Sequence, residues 1–215
     1  MDKLIPAFKA SLFDSNLTDL PKDIIEAGID SFLDNDALKE IPIFRTIIGV
    51  AKTAQNIYDR NLLRQTSVFI EELNSGTISP DKLWKYQQKI NNDPKCAERE
   101  LSRVLILLNS TIDLEKSKIL AKLYKAYISE KILWDDFCEL TEALNRLFTV
   151  DINLLITLYQ DSAYIVPESR QYQIERLVSQ GLFVKASPKV TYNMVNLSFT
   201  PVISDFGRLL ASLIV

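Results

Sequence analysis

Between Ile41 and Asn74 apolar residues return every third or fourth position: Ile43, Phe44, Ile47, Ile48, Ala51, Ala54, Ile57 and Tyr58, followed by Leu62, Val68, Phe69 and Leu73. That period belongs to a helix with one covered face and not to a strand. The stretch therefore predicts one long helix, or two nearly collinear ones, as the spine against which the rest of the chain packs. Gly49, between Ile48 and Val50, marks a point where a missing side chain would let a second helix come close.

Helical signals continue on both sides of this spine. Leu4, Ile5, Phe8, Leu12 and Phe13 make a short amphipathic helix from Lys3 to Phe13, and Ile24, Ile25, Ile29, Phe32 and Leu33 make a second from Asp19 to Leu33. Ser79-Pro80-Asp81 is a helix start, with a cap, a proline at the first helical position and an acid near the positive end. That helix carries Leu83, Trp84, Tyr86 and Ile90 to a stop at Asn91-Asn92-Asp93-Pro94, with Trp84 and Trp134 expected as core anchors. The helix from Lys95 to Leu108 is apolar nearly all round at LSRVLILL, which places it centrally. Asp113 to Tyr127 and Leu133 to Phe148 complete a bundle whose short loops imply antiparallel neighbours.

The character changes after Thr149. A short helix from Asp151 and a helix from Pro167 to Gly181 are followed by two β-rich runs, Leu182 to Ser187 and Thr191 to Phe199, and by a closing helix from Pro201 to Ile214. Five glycines in 215 residues leave little room for a β fold. The expected fold class is mainly α: a multi-helix bundle over 1–149, then a small α+β tail over 150–215 with one β-hairpin.

The chain has no histidine. That removes the serine and cysteine triads, imidazole metal sites and the commonest acid–base catalyst together. No Gly-rich phosphate loop, Walker motif or nucleophile elbow is present, so no catalytic, cofactor-binding or metal residue is assigned and the chain reads as a non-enzyme with no evident small-molecule substrate. Glu139 and Glu142 read as a solvated helix face. Cys96 and Cys138 lie far apart without a CxxC and read as reduced, structural residues of a cytoplasmic protein. The segment MDKLIPAFKASLF lacks a cleavage site, and no run reaches the roughly 18 apolar residues of a membrane span. Lys118, Lys122 and Lys125 share a helix face, which reads as a solubilising surface or as a site for an anion or anionic lipid.

Two resemblances add to this. IERLVSQGLFVKA from Ile174 and VNLSFTPVISDFGRLLASLI from Val195 resemble the second half of a winged-helix domain: Leu177, Val178, Gly181 and Leu182 match the end of its helix, and Leu197, Thr200, Gly207, Leu209 and Leu210 loosely match the pattern of its final helix. The likeness departs where Ser198-Phe199 intrude and where the middle helix has almost no room between Asp161 and Pro167. It implies that Arg170, Gln173, Arg176 and Gln180 would face a DNA groove, with Lys185 and Lys189 on the wing. Residues 151–215 nevertheless hold five acids and five bases, without the phosphate-gripping excess of a DNA module. The stretches IPIFRTIIGVAKTAQNIYDRNLL from Ile41 and LAKLYKAYISEKILWDDFCELTEALNRL from Leu120 resemble a group of uncharacterised helical bacterial proteins associated with abortive infection and phage defence. The expected function is a non-enzymatic interaction protein, plausible as part of such a module, that docks a protein partner or itself through helix faces. A DNA-binding regulator is the alternative, and a peripheral membrane effector the second alternative.

Overall fold

The structure, a computed structural model, describes residues 3–13, 40–50, 57–76, 78–186 and 200–215. The helix expected at 19–33, the middle of the spine at 51–56 and the strand expected at 191–199 lie outside them. The chain divides into two compact units, Met1–Phe137 and Cys138–Val215. It is mainly α, with a helical bundle followed by a two-stranded antiparallel hairpin near the C-terminus.

In the first unit α1 (Leu4–Ser11), α2 (Pro42–Val50), α3 (Ile57–Asn74), α4 (Pro80–Asn92), α5 (Pro94–Ser110) and α6 (Leu114–Ile128) lead into α7 (Trp134–Arg146), within which the unit boundary falls. Their starts follow local chemistry. Pro80 and Pro94 occupy first-turn positions where a missing N–H costs nothing, and the Asp93 carboxylate accepts from the Cys96 N–H at 3.0 Å. The spine is central, as its period required: α3 packs along α6 and also meets α2 and α5. Leu63, Val68, Phe69, Ile70 and Leu73 are buried, and the Phe69 ring lies 6.0 Å from Phe8 of α1 and 5.9 Å from Tyr124 of α6. Each fully buried side chain of this size contributes about 1.5–3 kcal/mol of transfer free energy.

Helix ends are satisfied across elements as well as within them. The Ile43 N–H at the start of α2 donates to Ser11 Oγ of α1 at 3.1 Å, and the Asn74 side chain at the end of α3 donates to the Leu12 carbonyl at 3.3 Å. Two expectations change. Gly49 is exposed, and a Cβ there would meet nothing within 4 Å, because α2 packs on α1 through the opposite stripe of Ile43, Phe44 and Ile47. Trp84 is no core anchor. It is 61% exposed, since Tyr86 and Ile90 set the buried face of α4 and residue 84 falls opposite them.

The second unit contains α8 (Thr149–Gln160), a 3₁₀ turn (Glu168–Arg170), α9 (Gln171–Ser179), β1 (Phe183–Ala186), β2 (Thr200–Ile203) and α10 (Asp205–Ile214). Phe183 pairs with Ile203 and Ala186 with Thr200. The described partner of β1 thus runs from Thr200 through Pro201, where the sequence pattern placed the start of the last helix. Thr200, Val202 and Ile203 are β-branched, Pro201 fits the edge of a two-stranded ladder, and the helix signal belongs to Ser204, whose Oγ accepts from the Gly207 N–H at 3.0 Å. Gly181, at φ +73, turns the chain out of α9. Gly207 is required by contact: a Cβ there would overlap the Leu182 carbonyl oxygen and stand 3.0 Å from Ile203 Cγ1.

Candidate functional site

In the second unit, Asp151 sits in the first turn of α8 with no exposed surface. Its Oδ2 accepts from the Phe148 N–H at 3.0 Å, closing the open end of the helix. The same carboxylate takes a two-pronged contact from Arg176 of α9, from Nε at 2.8 Å and from Nη2 at 2.6 Å. The guanidinium so fixed stands 4.8 Å from the centre of the Phe148 ring and 4.9 Å from that of Tyr172. Both rings remain outside the core, 60% and 55% exposed, and Val150 beside them is exposed as well. One buried acid therefore pins an arginine, and the arginine pins two surface aromatics.

The first unit holds a denser group of ionisable side chains. Glu100 of α5 has no exposed surface, and four groups from three helices donate to it. Lys89 Nζ reaches Oε1 at 2.6 Å, Tyr127 OH at 2.7 Å and Cys96 Sγ at 3.1 Å, while Tyr86 OH reaches Oε2 at 3.2 Å. Tyr86 also shares a hydrogen bond with Tyr124, and Lys89 donates to the Tyr127 oxygen. Burial, reinforced by Tyr124 and Glu100, lifts the Tyr86 phenol far above its ordinary range, and burial does the same for Tyr124. Burial moves Tyr127 up to about 12, the donation from Lys89 opposing it and Glu100 adding to it. Burial followed by Glu100 raises the Cys96 thiol. At Lys89 burial favours the neutral amine, but the contacts to Glu100 and Tyr127 outweigh it and the ammonium holds its proton more tightly than usual. Phenols and thiol thus rest neutral and the lysine charged, the states that satisfy the carboxylate. A nucleophilic thiolate or a free general base needs the reverse, so the arrangement acts as a clamp joining α4, α5 and α6.

A recess of about 430 Å³ lies between α1 and α4, lined by Pro6, Ala10, Phe13, Gln87, Ile90 and Asn91. Lys9 on its wall donates to the Ile90 carbonyl at 2.9 Å.

The residues singled out for DNA contact are not presented together. Gln173 is 3% exposed and packs inward, and Arg176 is bound to Asp151. Arg170 is exposed at the end of the 3₁₀ turn, Gln180 donates to Ser179 Oγ at 3.1 Å, the side chain of Lys185 on β1 lies outside the description, and so does Lys189. The three lysines of α6 also divide. Lys118 stands 3.5 Å from Glu115, Lys122 is half-buried, and Lys125 donates to the Glu72 carbonyl at 2.8 Å and to the Ser75 carbonyl, closing the C-terminal end of α3. Among the described residues no helix is long and apolar enough to cross a membrane, and Cys96 and Cys138 are not joined in a disulfide.

Sequence reasoning passed over Glu100 and Asp151. For Glu100 a signal existed: it shares a helix face with Val104 and Leu108, at steps of four, just before the apolar run Val104 to Leu108. For Asp151 the signal was its place three residues beyond Phe148, the position from which an acid caps a helix start. Comparison with protein-family models, with curated proteins and with solved structures finds no match to the chain.

Proposed function

We propose that this chain is a non-enzymatic interaction protein whose second unit docks a protein partner on the Phe148–Arg176–Tyr172 surface. The observation that carries this is the fixed stack itself: two exposed rings flank an arginine locked to a fully buried carboxylate. Aromatic residues and arginine are the types on which binding energy concentrates, and side chains already held in place avoid an ordering cost of about 0.5–1.5 kcal/mol each on association. The clamped state of the Glu100 group supports a role by contact, because its phenols and thiol are held protonated. The phage-defence setting enters only through the resemblance of the Ile41 and Leu120 stretches. A groove-reading role would have to do without Gln173 and the paired edge of Arg176.

The test is co-purification from the native host with tagged wild-type protein and with Phe148→Ala/Tyr172→Ala, alongside sedimentation velocity of both at rising concentration. The expected result is a discrete partner, or self-association, that the wild type shows and the variant loses while its circular dichroism is unchanged. The same associations in both proteins, or none in either, would overturn the proposal.

A further inference from the structure

We infer that the first unit carries a binding site for a phosphate or similar oxyanion group at the outer edge of the Glu100 clamp, with Arg99 as its principal ligand and Lys89 as its second. Two cations, Lys89 and Arg99, both pair with the single carboxylate of Glu100, which leaves one positive charge in excess. Lys89 Nζ lies 2.6 Å from Oε1, whereas Arg99 Nη2 stands off at 3.7 Å, outside hydrogen-bond range. The guanidinium also donates a weak hydrogen bond from Nη2 to Cys96 Sγ at 3.8 Å. Both cationic side chains keep a large outward surface, 63% exposed for Arg99 and 42% for Lys89.

Geometry makes this charge directional. The Trp134 ring is stacked on Phe137 with centroids 5.1 Å apart at 23°, and it lies 5.2 Å from the Tyr127 ring, so its position is set by the core. The Arg99 guanidinium centre is 6.0 Å from the Trp134 ring, within cation–π range. An arginine held by an aromatic surface keeps its planar fork of donors available, and that fork matches two oxygens of a phosphate or carboxylate at once. Lys89 Nζ and Arg99 Nη2 approach the same Glu100 oxygen, which brings the two cations close enough to share one oxyanion. The ligand class is a compact oxyanion, inorganic or carried on a larger molecule. The inference is independent of the docking surface in the second unit.

The experiment uses full-length protein in a Trp84→Phe background, which leaves Trp134 as the one tryptophan reporting beside Arg99. Its emission is titrated with inorganic phosphate, with a nucleoside monophosphate and with vesicles containing an anionic phospholipid, at ionic strength held constant with chloride. The inference predicts a saturable change with a dissociation constant on the order of 1 mM or tighter, weakened about tenfold or more by Arg99→Gln. Arg146→Gln, which removes an equally exposed arginine elsewhere, leaves it unchanged. The carrier that binds tightest identifies whether the group is free, on a nucleotide or on a lipid headgroup. No saturable change with any of the three, or a change that Arg99→Gln leaves intact while the fold is retained, would overturn the site.

Discussion

Arg176 and Asp151 form one contact but are unequal partners. Removing Arg176 strands a carboxylate that has no exposed surface, whereas removing Asp151 leaves a guanidinium with roughly a third of its side chain already in water. Breaking a buried pair from the side that leaves an uncompensated charge costs about 3–5 kcal/mol. Arg176→Met is therefore expected to destabilise the protein more than Asp151→Ala in urea unfolding, although Asp151→Ala also loses the Phe148 cap. Equal urea midpoints for Arg176→Met and Asp151→Ala would contradict the buried-charge account. At the Glu100 clamp stability depends on pH. Tyr127 moves from an ordinary 10.0 up to about 12 in the folded protein, so the folded state keeps its proton longer than the unfolded one. That contribution is complete below pH 10 and is lost as pH rises toward 12. Unfolding midpoints should fall across this window, and fall less steeply in Tyr127→Phe. The sequence named Arg176 as a ligand for DNA because a single chain shows which residues are cationic but not which acid faces them. Asp151 lies twenty-five positions away and reaches it only through the packing of α8 against α9.

Elements were more legible than their joints. Starts marked by proline and an acid, as at Pro80 and Pro94, follow from local sterics and capping and were readable within a residue or two. Joints made across space were not: Ser11 closing α2 and Lys125 closing α3 depend on helices far apart in sequence. The helix start expected at Pro201, where the chain instead runs as strand Thr200–Ile203, shows the limit of reading proline as a helix start when β-branched residues surround it. The link between α10 and the hairpin yields a further prediction. Because a Cβ at position 207 would overlap the Leu182 backbone, Gly207→Ala should force α10 outward and cost at least about 1–3 kcal/mol, the range for overpacking. Ser212→Ala, on the exposed side of the same helix, should be close to neutral. Equal melting temperatures for Gly207→Ala and wild type would show that the close approach is not required.

Taken as a whole, the mainly helical architecture was present in the apolar periods, because a stripe at helical spacing must find cover and a 215-residue chain has enough such stripes to cover one another. What the molecule does was not, because its candidate surfaces are assembled from distant positions and carry no compact motif. Phe148, Tyr172 and Arg176 read as two aromatics and a cation until the fold stacks them. On the proposed function the protein acts by contact through that stack. The most direct measurement places a photo-reactive phenylalanine analogue at position 172 in living host cells, with position 106, an exposed isoleucine of α5, as the control. A defined cross-linked product from position 172 that is absent from position 106 and abolished by Phe148→Ala is the predicted result. Equal labelling from both positions, or no product from position 172 above background, would contradict it.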